Sequence, residues 1–176
     1  MPGTNEPILI GRSYTLEADL VLGLPRGGVV VAAEVARVLQ RPLDVLVVRK
    51  IGHPWHREFA VGALAEPDVV ILDESSLSRN PIGRSQLNDV IAEETERLGQ
   101  YRKQFHRGGT PDLAGKSVLL VDDGLATGAT MIAAVQATAL AKPASLIVAV
   151  PVSPPDIAGK IGKLEPVREF VYLDTP

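Results

Sequence analysis

Short apolar runs alternate along the chain with longer segments in which apolar residues recur at helical spacing. The apolar runs predict buried strands at 19–23, 43–48, 117–121, 145–150 and 169–173. The longer segments predict helices at 29–39, 85–104, 129–140 and 154–164. This alternation predicts an α/β fold, an open and mostly parallel sheet flanked by helices. Candidate strands at 59–65 and 69–73 follow each other without a helix and predict an antiparallel excursion.

Length and composition are those of an ordinary globular protein. The 176 residues and 45% apolar content predict one domain spanning 1–176 with a substantial core. Cysteine is absent, which excludes disulfides and thiolate metal sites and is typical of a cytoplasmic protein. The opening MPGTNEP reads as a flexible lead-in, and residues 1–12 lack the pattern of a signal peptide.

Charge and hydropathy argue against nucleic acid and membrane partners. The net charge is −3, so no global basic field favours nucleic acid. No apolar run reaches the ~18 residues that a membrane span requires. The charged helix at 85–104 is expected to be a solvated face, and Arg102, Lys103 and Arg107 give at most a small anion patch.

Residues 118–130, which read VLLVDDGLATGAT, carry the strongest functional signal of the chain. A predicted buried strand ends there at two adjacent carboxylates, Asp122 and Asp123. A loop of small and hydroxyl-bearing residues then opens a helix, and unpaired amides at a helix start favour a bound anion. Neighbouring carboxylates suit a sugar diol or Mg²⁺. The stretch therefore predicts a pocket for a phosphorylated ribose; the alternative is an ordinary strand–turn–helix with a capping aspartate.

Two basic segments also follow predicted strands. In the turn 24–28, which reads LPRGG, two glycines allow close backbone approach and Arg26 is suited to a charge-assisted bond with phosphate. Arg49 and Lys50 end the predicted strand 43–48 and are suited to neutralising an anion. The alternative in both cases is a solvated basic side chain. Because ligands bind beyond the carboxyl ends of parallel strands, both segments are predicted to converge with Asp122 and Asp123 on one edge of the sheet.

The stretch 121–130 resembles the ribose-phosphate motif of the type I phosphoribosyltransferases. The resemblance implies that two residues, Asp122 and Asp123, contact the ribose hydroxyls. It implies a loop around the ribose 5′-phosphate built from Gly124, Leu125, Ala126, Thr127, Gly128, Ala129 and Thr130. It also implies a pyrophosphate loop, which often contains an unusual cis peptide, at Pro25, Arg26, Gly27 and Gly28. Segments 23–36, 43–54, 58–63 and 149–152 narrow the resemblance to a bacterial phosphoribosyltransferase group sometimes fused to a hydrolase domain.

This resemblance implies a Mg²⁺-dependent transferase, commonly a homodimer. The reaction would displace pyrophosphate from 5-phosphoribosyl-1-pyrophosphate (PRPP) by a nitrogen acceptor such as a nucleobase. The implied catalytic candidates are Asp122, Asp123, Arg49, Lys50 and Glu58. Mg²⁺ would be held through the ligand and water, with the two aspartates as candidate protein ligands. Glu58 is a spare acid/base candidate, because Ala126 stands where enzymes acting on 6-oxopurines commonly carry an aspartate.

Two departures from the group keep other functions open. Residues 1–18 do not match the N-terminal segment of its members, and their aromatic, acidic tail has no counterpart after Pro176, so a reduced or incomplete hood over the base is expected. Two alternatives use the same pocket. One is a regulatory module that binds PRPP or a nucleotide without transferase activity, and the other is a hydrolase of phosphorylated compounds.

Residues 49–68 are a candidate flexible lid. The polar part at 49–57 is broken by glycine and proline and predicts a loop, which is either a mobile surface loop or a catalytic lid. His53 and His56 have the spacing of a chelating pair, but no third ligand has clear spacing. Trp55 is expected to pack under the lid rather than to stack on a base, because aromatic side chains are usually buried.

Overall fold

The computed structural model describes residues 8–9, 16–106 and 108–174 and, within these ranges, consists of two sheets and five helices. In chain order the elements are β1 (Ile8–Leu9), β2 (Leu20–Gly23), α1 (Gly27–Leu39), β3 (Leu43–Val45), β4 (Val48–His53), β5 (His56–Ala65), β6 (Val69–Leu72), α2 (Glu74–Arg79), α3 (Arg84–Phe105), β7 (Ser117–Val121), α4 (Ala129–Leu140), β8 (Ser145–Val152), α5 (Pro155–Ile161) and β9 (Val167–Asp174).

The main sheet is parallel throughout, in the order β1-β9-β8-β7-β2-β3. Its central strands are buried on both faces, which explains their unbroken apolar sequences. In β7, Val118 and Leu120 enter the larger core with helices α4 and α5, whereas Leu119 and Val121 enter a second core under α1. The predicted parallel α/β sheet with flanking helices is confirmed.

The second sheet, β4-β5-β6, is antiparallel and confirms the predicted excursion. One of its faces joins the larger core of the main sheet through Val48, Ala63 and Ala65. Its other face packs against α3, where Ile51 and Leu64 contribute to the shared apolar cluster. The helix α3 therefore lies on the side of the second sheet that faces away from the main sheet.

The prediction of one strand at 43–48 and a loop at 49–57 is wrong. The strand β3 ends at Val45, and β4 begins at Val48 in the other sheet. Because both sheets bury apolar side chains, no polar residue marks the point between 45 and 48 where the chain passes from one sheet to the other. Gly52, which suggests a loop, instead lies at a register shift in the β4–β5 pair. The candidate lid at 49–68 is therefore largely a β-hairpin.

The remaining differences are local. The short helix α2 was not predicted. Asp73 caps its N-terminus, and the Asp73 carboxylate accepts hydrogen bonds from the amides of Ser75 and Ser76. Those hydroxyl and amide donors, with Ser76 first, lower the pKa of Asp73 to about 2. Arg107, assigned to the small anion patch, lies outside the described residues. Within the described ranges, no helix combines the length and the apolarity that crossing a membrane requires.

A buried carboxylate, Glu66, fixes the junction between the two sheets. Its side-chain oxygen accepts a hydrogen bond of 2.7 Å from the Val47 amide, and its own amide donates to the Val47 carbonyl at 3.1 Å. His106 Nε2 lies 2.9 Å from the same carboxylate oxygen, and His106 Nδ1 lies 3.5 Å from Asp44. Arg102 Nε lies 3.6 Å from the other oxygen. Glu66 thus ties the β3–β4 junction to the end of α3.

Replacing Glu66 with alanine is expected to lower the free energy of unfolding by roughly 2–3 kcal/mol, because the Val47 amide and His106 would lose a buried partner. Denaturation in urea measures the change. Glu165→Ala is the matched control, because Glu165 also precedes a proline but is exposed, and a change within about 0.5 kcal/mol is expected there. Similar small losses in both variants would contradict the role given to Glu66.

Candidate functional site

The glycine-containing turn after β2 and the acidic pair after β7 lie side by side. The two strands are neighbours in the sheet, with Gly23 opposite Val121. The Leu24 amide continues the pairing by donating to the Val121 carbonyl at 2.9 Å. Both loops therefore leave the sheet at the same carboxyl edge, where ligands of parallel sheets bind.

Glycine at two positions lets these loops touch. A Cβ atom at Gly28 would lie 2.8 Å from the Cα of Asp122 and 2.9 Å from the Val121 carbonyl oxygen. A Cβ atom at Gly27 would collide with the carboxylate of Asp123. The peptide bond that precedes this contact, Pro25–Arg26, is cis. The structure thus brings the segments predicted for pyrophosphate and for ribose into van der Waals contact.

The acidic pair is electrostatically unequal. Asp122 is half-buried and Asp123 is exposed. The Asp123 amide donates to Asp122 Oδ1 at 2.9 Å. Burial, and after it the Asp123 carboxylate, raise the pKa of Asp122 to about 6, against the opposing effect of that amide. A neighbouring cation or hydroxyl donors would stabilise the ionised form of such a half-buried carboxylate.

The loop from Gly124 to Gly128 leads into the start of α4, and its exposed residues are Ala126 and Thr127. Leu125 is buried, and its amide donates to the Val152 carbonyl at 2.9 Å, which anchors the loop to the end of β8. Gly128 directly precedes α4 and, being glycine, has no side chain to cap the first amides of the helix. The first turn contains no acidic residue. The Ala129 amide donates to Thr127 Oγ1 at a long 3.4 Å. The amides and the helix dipole are therefore suited to an anion.

Arg26 and Arg49 meet at an aromatic side chain that sequence reasoning missed. A guanidinium nitrogen of Arg26 donates to the Tyr101 hydroxyl at 3.2 Å. The Arg49 guanidinium carbon lies 5.2 Å from the centre of the same ring, and two of its nitrogens lie 2.9 Å from Glu94. Tyr101 and Glu94 both belong to α3, whose charged sequence indicates only a solvated face. No local pattern connects them to arginines that far away in the chain.

Arg49, Lys50 and Glu58 lie on the second sheet. Arg49 and Lys50 therefore do not end a main-sheet strand as predicted. The Lys50 ammonium donates to the Glu58 carbonyl at 3.0 Å and lies 3.8 Å from its carboxylate. The Glu58 side chain is fully exposed. All three residues line a groove of about 510 Å³ between the β4–β5 hairpin and α3. The predicted catalytic residues therefore form two groups, which Tyr101 connects through Arg26 and Arg49.

One prediction about the candidate lid is overturned by the structure. Trp55 lies at the turn of the β4–β5 hairpin and is 61% exposed, so the predicted packing is wrong. His53 is buried, with its ring centre 5.7 Å from that of His56. Among the described residues, no group of three or more His, Cys, Asp or Glu side chains is placed to hold a metal ion. Arg102, from the anion patch, is paired with Glu66 and Asp68.

The fold and this edge define an α/β protein whose candidate ligand site lies at the carboxyl ends of parallel strands. The family profile described as "Phosphoribosyl transferase domain" matches residues 9–171. The chain is 40% identical over 161 residues to "Putative phosphoribosyl transferase Rv0571c" of Mycobacterium tuberculosis, covering 91% of this chain and 36% of that protein. The chain belongs to the phosphoribosyl transferase family, as its motifs predict, and spans about a third of the length of that curated relative.

Solved structures share the fold. The protein TT1426 from Thermus thermophilus is 41% identical, with a TM-score of 0.71 over 92% of this chain and 76% of that one. A hypothetical protein from Neisseria gonorrhoeae with bound ppGpp is 17% identical, with a TM-score of 0.51 over 90% of this chain and 68% of that one. The second likeness concerns the fold alone.

Gly28→Ala is expected to lower the free energy of unfolding by roughly 1–3 kcal/mol, because the added methyl group meets the backbone of residues 121–122. Gly99→Ala is the matched control, since Gly99 also lies within a helix but has open space around it. That variant is expected to gain up to about 1 kcal/mol from helix propensity. Urea denaturation measures both changes, and stabilisation by both substitutions would contradict the loop contact.

Asp122→Asn is expected to stabilise the protein above about pH 6 and to have little effect below about pH 4. Folding raises the pKa of Asp122 from 3.8 to about 6, so the folded chain binds the proton more tightly and loses stability as the pH rises through this window. Asparagine does not titrate, and the stabilisation should reach roughly 1–2 kcal/mol, less than the full equivalent of the shift because the amide is also desolvated.

Urea denaturation at several values between about pH 4 and pH 8 measures this dependence. Asp89→Asn, at an exposed position of α3, is the control and should give a difference that stays nearly constant with pH. A stabilisation by Asp122→Asn that does not grow with pH would mean that folding does not raise the pKa of Asp122.

Proposed function

We propose that the chain is a Mg²⁺-dependent phosphoribosyltransferase that transfers phosphoribosyl from PRPP to a nitrogen acceptor and releases pyrophosphate. The observation that carries this proposal is the contact between the turn 24–28 and the acidic pair at the adjoining ends of β2 and β7. It joins a backbone loop suited to one phosphate group, two carboxylates suited to a diol, and a helix start suited to another phosphate. Family membership supports the transferase class.

Each part of PRPP has a matching group in this arrangement. Asp122 and Asp123 accept hydrogen bonds from the ribose 2′- and 3′-hydroxyls. The amides between Gly124 and Thr130 bind the 5′-phosphate at the start of α4. The backbone of Gly27 and Gly28, with the Arg26 guanidinium, binds the pyrophosphate. Arg49 and Lys50 offset the charge that develops on it as it leaves.

The reaction breaks the bond between C1 of the ribose and the pyrophosphate oxygen and forms a bond from C1 to the acceptor nitrogen. Positive charge on the ribose, as in glycoside chemistry, is the feature that the two aspartates stabilise in the transition state. Ala126 has no carboxylate to take the acceptor's proton, and Glu58 is paired with Lys50 on the hairpin. These residues therefore favour an acceptor whose nitrogen is already nucleophilic without a strong general base.

The donor set at this edge suits Mg²⁺. The ion prefers oxygen ligands and is commonly bound by one or two carboxylates together with phosphate oxygens and water. Asp122 and Asp123 are adjacent carboxylates. Burial and the charge of Asp123 disfavour the ionised form of Asp122, and a nearby dication would offset both effects. They would hold the ion directly or through water and ribose hydroxyls, where it would supply neutralising charge for the pyrophosphate.

Calorimetric titration with PRPP, with and without Mg²⁺, tests the proposal. Wild type is expected to bind PRPP more tightly in the presence of Mg²⁺. The Asp122→Asn/Asp123→Asn variant should lose at least about 100-fold in affinity, since it removes both charges facing the diol and the ion. Asp89→Asn controls for a general loss of acidic charge. Absence of PRPP binding by folded wild-type protein would remove the transferase proposal.

The absence of a carboxylate at Ala126 also favours a second candidate, a regulatory module that binds PRPP or a nucleotide without transferring it. Release of pyrophosphate, measured with a panel of nucleobases, distinguishes the two. Release that depends on an acceptor supports the transferase, and binding without release supports the module. Release without any acceptor supports the third candidate, hydrolysis of the phosphorylated compound by water in the same pocket.

A further inference from the structure

Tyr101 is the contact that the two site arginines share. Its hydroxyl accepts a hydrogen bond of 3.2 Å from Arg26, whose guanidinium carbon lies 5.9 Å from the ring centre. The Arg49 guanidinium carbon lies 5.2 Å from the same centre. One aromatic side chain on α3 therefore contacts one arginine from the main-sheet edge and another from the second sheet.

We propose that Tyr101 is a positioning residue that holds Arg26 and Arg49 in place for the pyrophosphate of PRPP, an inference that rests on the function proposed above. Two guanidinium groups repel each other when brought together, and an aromatic face with a hydroxyl acceptor lowers that cost. Holding them before the ligand arrives removes part of the ordering cost of binding.

The surroundings of Tyr101 keep it in this position. Its ring stacks on Phe105 of the same helix, with ring centres 6.0 Å apart and an interplanar angle of 24°. Arg49 is fixed from its other side by Glu94, whose side chain is only 6% exposed and also accepts a 2.8 Å hydrogen bond from Arg97. The two arginines are therefore supported by partners on a helix that itself packs on the second sheet.

The electrostatics of the phenol agree with this geometry. The hydrogen bond from Arg26, then the charge of that guanidinium, lower the pKa of Tyr101 below its usual value, and Arg49 adds to the effect. The shift reflects the same contact, in which a guanidinium N–H of Arg26 donates to the phenol oxygen.

A comparison of two ligands tests the proposal, because PRPP carries pyrophosphate and ribose 5-phosphate does not. Tyr101→Phe is expected to weaken the binding of PRPP with Mg²⁺ by about 3- to 10-fold through loss of the hydroxyl acceptor, and Tyr101→Leu should weaken it further through loss of the ring. Both variants should bind ribose 5-phosphate within about 2-fold of wild type, since no pyrophosphate contact is involved. Titration calorimetry measures both affinities.

A double-mutant cycle shows whether Tyr101 acts through Arg26. In an Arg26→Ala background, Tyr101→Phe should change PRPP affinity by less than about 2-fold. Gln104→Ala, exposed on the same helix, is the control and should leave both affinities unchanged. Equal weakening of both ligands by Tyr101→Phe, an undiminished effect in the Arg26→Ala background, or unchanged PRPP affinity would overturn the proposal.

The same titrations distinguish failure of the proposed function from failure of the role proposed for Tyr101. Wild-type protein that binds neither ligand would overturn the proposed function, and this inference with it. Wild-type protein that binds both ligands, with a Tyr101→Phe variant that matches it, would leave the proposed function in place and remove only the role of Tyr101.

Discussion

The site depends on how closely two backbone segments approach each other. At Gly27 and Gly28 the first turn of α1 lies against Asp122 and Asp123, with no room for a side chain between them. The pairing of β2 with β7 sets this approach, because it places both strand ends at one edge in fixed register. A rigid sheet thus determines the distance between a loop suited to phosphate and a carboxylate pair, and small-molecule sites on such scaffolds are usually preformed.

A second layer adds positive charge to that of Arg26. The antiparallel sheet and α3 carry Arg49 and Lys50, and Tyr101 connects that layer to Arg26 on the main sheet. Glu66 holds the chain where it passes from one sheet to the other. The acidic pair and Arg26 therefore belong to the main-sheet edge, whereas Arg49 and Lys50 belong to the second sheet. The relative position of the two groups depends on the junction near Val47 and on the packing of α3.

Most of the fold follows from local sequence patterns, because unbroken apolar runs and helical spacing report burial directly. The motif at 122–130 also predicts its own position at a strand end. The apolar run at 43–48 was predicted as one strand because buried residues of two different sheets give the same apolar pattern as one buried strand. The roles of Tyr101 and Glu94 could not be predicted for a different reason. Tyr101 contacts Arg26, 75 residues away, and Glu94 contacts Arg49, 45 residues away, and the charged pattern of the helix does not indicate such contacts.

The strand order has a consequence for how the chain acquires its binding edge. The second sheet joins strands that are consecutive in sequence, so its contacts close short loops. The edge between β2 and β7 requires segments 98 residues apart, as the hydrogen bond from Ser117 to Asp19 illustrates. Closing so long a loop is entropically costly and slow. The candidate binding edge therefore exists only once this long-range pairing is complete, and a ligand that binds there would stabilise the completed topology.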